Sequence, residues 1–223
     1  MTFSGVMLDI DGTLVLSNDA QAQAWVEAFT AFGHKLEFDQ VRPLIGMGGD
    51  RIIPKFLPGC SDKEGEGKKI ADRRKELIID KFAAKLVPAN GSRDLIIKMQ
   101  QQGLRLLIAS SATSEELSVL LRVAQVDDLL SQDEATTSSD TEASKPEPDL
   151  IQVALKRLEM QPDRVVMIGD TPYDIEAAQK VGIRTIAFRC GGFNDEQLKN
   201  AIAIYHDPAD LLEHYDDSPL SNS

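Results

Sequence analysis

Cysteine is nearly absent from this 223-residue chain. Cys60 and Cys190 alone make neither a disulfide framework nor a zinc-type pairing, so a reducing cytoplasm is the expected setting. Positive charge is also short. With 24 Lys and Arg against 36 Asp and Glu, the formal net charge is -12, which excludes a general nucleic-acid-binding surface or an anionic-membrane surface. A small anionic substrate stays open, because a site needs only a local positive cluster. No run approaches the roughly 20 apolar residues that a membrane span requires. Met1 to Ser4 carry no basic region and no long apolar stretch, so a secretion signal is not expected. Internal repeats are absent, and the one low-complexity stretch is the Ser/Thr/Asp loop near 136–141.

What remains is ordinary globular material, 42% hydrophobic and 27% charged, long enough for one large domain or two smaller ones. The chain opens on a strand-like run, Val6-Met7-Leu8-Asp9-Ile10, that leads into Asp11-Gly12-Thr13-Leu14. An apolar run this early reads as a buried central strand, with Gly12 turning the chain at its end. Two carboxylates with one residue between them at such a place either form a solvated acidic turn or share a divalent cation.

Helical patterns follow, over Val15–Gly33 with Ser17 or Asn18 as cap, over Asp39–Ile45, and over Asp62–Leu86. The Ala22, Trp25, Val26, Phe29 and Phe32 stripe reads as core, and the stretch to Pro58-Gly59 as irregular or briefly helical. Beyond Val87-Pro88 the pattern changes to alternation. Strands are expected at Leu104–Ala109, Glu134–Thr136, Arg164–Ile168, Ile183–Phe188 and Ala203–Tyr205. Helices are expected from Ser92, after Ser111, from Pro148, from Pro172 and from Asp207 or Pro208. Asp216–Ser223 reads as a frayed tail. Alternation predicts an α/β fold, a doubly wound parallel sheet with a Rossmann-like core (1–15 and 88–223), interrupted by an inserted helical cap domain (16–87).

In such a sheet, ligands bind beyond the carboxyl ends of the strands. The polar residues there are Asp9 and Asp11, Ser110 and Ser111, and Gly169-Asp170, with Lys145 in a loop crossing the same edge. Asp9-Ile10-Asp11-Gly12-Thr13-Leu14, Ser110, Lys145-Pro146 and Gly169-Asp170-Thr171-Pro172-Tyr173-Asp174 resemble, in order and spacing, the four motifs of the haloacid dehalogenase superfamily. The helical insertion resembles the small cap of its phosphatase and phosphomutase branch, the group with phosphoglycolate phosphatase and β-phosphoglucomutase.

The resemblance implies a Mg²⁺-dependent phosphatase acting on a small phosphorylated metabolite through an aspartyl-phosphate. Asp9 would attack phosphorus. Asp11 would protonate the leaving group and then deprotonate the attacking water. Asp9, the Asp11 main-chain carbonyl and Asp170 would hold the metal. Ser110 and Lys145 would hold the phosphoryl oxygens. Thr13 would donate to the phosphate site or tighten the turn, and Ser111 competes with Ser110 for its place. Asp174, one helical turn after Asp170, would support the metal shell or complement the helix dipole. Gly46-Met47-Gly48-Gly49-Asp50-Arg51 resembles the specificity loop of such caps, with Arg51 or Lys55 placed to bind a second charged group, or else is a flexible loop. The alternatives are a sugar phosphomutase, a phosphonate hydrolase using an imine-forming lysine (Lys35, Lys55 or another), and, from another class, a non-catalytic phosphate-binding or signalling module. A carbon–halogen dehalogenase would have no leaving-group oxygen to protonate. Monomer and homodimer both stay open.

Overall fold

The computed structural model describes residues 2–130, 135–141 and 143–221. Strand β1 (Gly5–Leu8) is followed by a wholly helical stretch: α1 (Asn18–Ala31), α2 (Phe38–Val41), α3 (Gly49–Phe56) and α4 (Gly65–Glu76), the last running on through a π-turn over Leu77–Phe82. Alternation then begins with α5 (Ser92–Gln101), β2 (Arg105–Ile108), α6 (Ser114–Val123), α7 (Asp149–Leu158), β3 (Val165–Gly169) and α8 (Pro172–Gln179). It closes with β4 (Arg184–Phe188), α9 (Asp195–Leu198), β5 (Ala203–Tyr205) and α10 (Pro208–Glu213).

All five strands pair in parallel in the order β2-β1-β3-β4-β5, which puts the first strand inside the sheet between β2 and β3. Successive side chains of a strand face opposite sides. Val6, Leu8, Val166 and Ile168 accordingly join one apolar cluster with Leu95 and Met99 of α5 and Leu117 and Leu120 of α6. Met7, Val165 and Met167 join the other with Leu150 and Ile151 of α7 and Ala177 of α8. Helices thus cover both faces, as near-continuous apolar strands require.

The helical stretch has its own apolar cluster, built on Trp25, Phe29, Ile52, Ile53, Ile70 and Ile78. Two antiparallel chain crossings connect it to the sheet: Leu16 N–H donates to Val87 O at 3.0 Å, and Ala89 N–H to Leu14 O at 2.9 Å.

Local differences from the sequence expectations have physical causes. Gly91, at φ +76°, takes the cap position before α5 in place of Ser92, whose hydroxyl turns to the Leu14 and Ala89 carbonyls. The strand expected at Glu134–Thr136 is a single bridge from Thr136 to Ala109, and Glu134 lies outside the described residues. The tail is not frayed through its described part: Leu220 is buried in the sheet's first cluster, after a turn over Tyr215–Asp217. Among the described residues no helix is long and apolar enough to cross a membrane.

Candidate active site

Chain continuity past the carboxyl end of β1 places Asp9, whose N–H still donates to Ile168 O at 2.9 Å. Its side chain is 6% exposed. Lys145, in the loop before α7 and 1% exposed, reaches it with Nζ at 2.5 Å from Asp9 Oδ1 and 2.7 Å from Asp174 Oδ1. Asp174 is fixed from its other oxygen: Oδ2 accepts from Thr171 N–H at 3.0 Å and Thr171 Oγ1 at 2.7 Å, while Thr171 Oγ1 accepts from Asp174 N–H. One aspartate therefore both caps α8 and anchors the lysine.

Asp170, at the end of β3, is fully buried. It accepts from Thr13 Oγ1 at 3.0 Å and from Asn18 Nδ2 at 2.7 Å. Gly12 and Gly191 flank it, and a Cβ on either would overlap its carboxylate, so glycine is required at both positions. Carboxylate oxygens of Asp9, Asp170 and Asp174 lie within 4.8 Å of one another.

Three buried carboxylates face one ammonium, leaving two negative charges in surplus. Burial pushes Asp9 up to about 7, with Lys145 opposing and Asp174 adding to the rise. Burial, then Asp174 and Asp9, hold Asp170 well above the usual carboxylate range against Thr13 and Asn18. Burial opposes the charge of Lys145, but Asp174 and Asp9 outweigh it and lift the lysine above its ordinary value. A divalent cation is what this donor set fits: all-oxygen, with two carboxylates in surplus over the one ammonium.

Asp11 faces a different environment. Ser17 Oγ donates to its Oδ1 at 2.5 Å and Gln21 Nε2 at 2.8 Å. Burial raises its pKa, with Ser17, Gln21 and Arg74 working the other way. Gln21 is oriented in turn by Arg74 of α4, whose Nη2 donates to Gln21 Oε1 at 2.5 Å. Arg74 Nη1 reaches the fully buried Glu116 of α6 at 2.5 Å, and the guanidinium lies over Trp25, 5.3 Å from the ring centre. The helical stretch and the sheet are thereby joined beside Asp11.

Asp9, Asp11, Gln21, Arg74 and Ser111 line one narrow cleft of about 40 Å³, to which Ile45 to Gly49 also contribute. It shares Trp25, Gly48, Gly49, Arg74 and Ser111 with an adjoining cavity of about 170 Å³. Of the hydroxyl pair, Ser111 lines the cleft and donates to Gly46 O at 3.4 Å; Ser110 is 1% exposed, its Oγ accepting from Ala112 N–H. The structure does not bring Arg51 to the carboxylates. Its guanidinium pairs with Glu147 at 3.1 Å and Asp50 at 3.5 Å, while Arg74 is the cation of the helical stretch that faces the cleft. Lys55 also does not line it.

Sequence reasoning missed Asn18, Gln21, Arg74 and Glu116. Of the two expected caps, Ser17 takes the cap position of α1, yet it makes no side-chain cap bond and spends its hydroxyl on Asp11. Gln21 lies one helical turn from Ser17 on the same face, and that spacing was the available signal.

Residues 6–188 match the family model for haloacid dehalogenase-like hydrolases, and the chain belongs to that family of enzymes. It is 32% identical over 193 residues to the protein SUPPRESSOR OF QUENCHING 1, chloroplastic, of Arabidopsis thaliana; the match takes 83% of this chain and 18% of that longer one. Pyrophosphatase PpaX of Bacillus cereus is 23% identical over 188 residues, 84% of this chain and 83% of its own. Among solved structures, a hydrolase from Pseudomonas syringae superposes with a TM-score of 0.87 at 24% identity, covering 96% of this chain and 98% of that one.

Proposed function

We propose that this enzyme is a Mg²⁺-dependent phosphatase that hydrolyses a small phosphorylated metabolite through an aspartyl-phosphate on Asp9. The observation that carries the proposal is the division of labour between two acids two residues apart. Asp9 is locked by Lys145 among the carboxylates, whereas Asp11 is held across the cleft by neutral donors. The ammonium beside Asp9 orients that carboxylate for attack, whereas Asp11, hydrogen-bonded by neutral groups and clear of the ammonium, is placed to pass a proton to and from an oxygen in the cleft.

In this scheme an Asp9 oxygen attacks phosphorus, and the bond from phosphorus to the leaving oxygen breaks as Asp11 delivers its proton to that oxygen. Asp11, now a carboxylate, takes a proton from water, whose oxygen attacks phosphorus and releases Asp9 and phosphate. Lys145 keeps Asp9 from rotating and offsets phosphoryl charge. Ser110 or Ser111 and Thr13 donate to the phosphoryl oxygens. Asp9, Asp170 and the Asp11 main-chain carbonyl would hold Mg²⁺, with Asp174 supporting them through Lys145. When bound, the ion offsets the repulsion between the attacking carboxylate and the anionic substrate.

Residues 16–87 act here as a cap domain over the core of 1–15 and 88–223, hinged at the paired crossings of Leu14–Ser17 and Val87–Ala89, and closure excludes water from Asp9. The relative named a pyrophosphatase supports a phosphoryl substrate, and the small cleft supports a small one. Both thiols are free, in keeping with residence in the cytoplasm. The test is phosphate release from a panel of phosphorylated metabolites and an aryl phosphate, with Mg²⁺ and with EDTA. Turnover that requires Mg²⁺ is expected, and full turnover in metal-free buffer removes the metal assignment.

A further inference from the structure

We propose that Asn18 is a positioning residue of the divalent-cation site; the proposal rests on the metal-dependent reading above. Asn18 is the first residue of α1 and is 4% exposed. Its Nδ2 donates to Asp170 Oδ2 at 2.7 Å and to Gly191 O at 2.9 Å. Those two acceptors fix which way the amide faces, since a flipped amide would set its oxygen against a carboxylate and a carbonyl. The other atom of the amide, Oδ1, is then left buried and without a hydrogen-bond partner. A bare buried amide oxygen is costly unless something else donates to it, and the water shell of a Mg²⁺ ion brings donors.

Asp170 depends on this contact more than a surface carboxylate would. Among the described residues its side chain accepts hydrogen bonds from Thr13 and Asn18 only, both neutral, and Gly12 and Gly191 leave no space for another side chain. Removing Asn18 takes away one of two groups that orient the acid. The Gly191 carbonyl that steadies Asn18 also accepts from Arg42 Nη2 at 2.6 Å, so the helical stretch meets the metal-site loop at two points. Partners that orient a metal ligand typically change metal affinity 10–100-fold when removed.

The test is calorimetric titration of Mg²⁺ into the metal-stripped full chain as wild type, Asn18→Leu and Asn18→Ser, with metal-free melting curves to show that each is folded. Each folded variant is expected to bind Mg²⁺ about tenfold or more weakly, with the half-saturating Mg²⁺ for turnover rising in step and kcat recovering at saturating Mg²⁺. A folded variant with unchanged Mg²⁺ affinity overturns the role of Asn18, as does kcat that stays depressed at saturating Mg²⁺ with affinity intact. Independently of any variant, the side-chain amide resonances of Asn18 in the wild type should shift with the Mg²⁺ binding midpoint; resonances that do not move contradict the proposal. A wild type that binds no Mg²⁺ defeats the metal reading itself. Tight binding by wild type and variants alike defeats Asn18 alone.

Discussion

The sheet and the helical stretch meet at one cleft and equip it in different ways. From the strand ends and the loops beside them come ionisable groups in fixed geometry: Asp9, Asp174 and Lys145, buried and tied to one another, and the buried Asp170. From the helices come mainly neutral groups, Asn18 on Asp170 and Ser17 and Gln21 on Asp11, together with Arg74, whose charge is already matched by Glu116. Parallel strands buried on both sides hold their ends rigidly, so charges that must not move belong there. The helical stretch is joined by two crossings and adjusts the same acids through hydrogen bonds. Changes on the sheet side should therefore abolish the reaction, and changes on the helical side should grade it.

The largest effect expected is from Asp9→Asn, with turnover falling by about 10⁴-fold or more in steady-state phosphate release. Asp11→Asn should cost about 10²–10⁴-fold with alkyl phosphates and less with an aryl phosphate, whose leaving oxygen needs little protonation. Equal losses on both substrates would show that Asp11 is not the acid. Gln21→Leu and Arg74→Ala should each lower kcat by about 10–100-fold, again more with the poorer leaving group, because a hydrogen bond to a charged group is worth about 1.5–3 kcal/mol. If these helical-side losses equal that of Asp9→Asn, the contrast between the two regions fails.

Stability against pH probes the sheet side without turnover. In metal-free protein Asp9 is raised from 3.8 to about 7, so the folded chain keeps a proton that the unfolded chain has lost across that window. This contribution is present below pH 4 and is lost as pH rises through about 7. In the proposed site Mg²⁺ would compete with that proton, so its thermal shift should grow from pH 5 to pH 8 by a few degrees, and the growth should shrink in Asp9→Asn. A shift independent of pH would contradict the placement of the ion beside Asp9. The smallest effect is expected from Arg51→Ala, within about fivefold of wild type, because its ion pairs are half-exposed and turned from the cleft.

The legible part of this molecule is the part that local pattern controls. The apolar runs ending at Asp9, Ser110 and Asp170 mark strand ends, because a strand buried on both faces must be apolar until it emerges. Even the short strand at Ala203–Tyr205 lies where its pattern put it. What could not be read was set by contact between distant segments. Arg51 follows glycines in a pattern of the kind that binds anions, yet it lies in the first turn of α3, and Arg74 lies mid-pattern among charges like any solvated residue. Only the packing of α4 against α1 and α6 turns Arg74 inward. Ser17 and Asn18 carry the composition of helix caps, and nothing local shows that their side chains serve Asp11 and Asp170 instead. Leu220 could be known as buried only after the sheet's first apolar cluster had a place for it.

The proposed reaction passes through a covalent bond between Asp9 and phosphorus. The direct measurement is to quench the enzyme in acid during turnover of a ³²P-labelled substrate, reduce the acyl phosphate with borohydride and map the modified peptide by mass spectrometry. A modified aspartate at Asp9, absent from Asp9→Asn, is the predicted result. A turning-over enzyme that yields no acyl phosphate, or one carried by another residue, would contradict it.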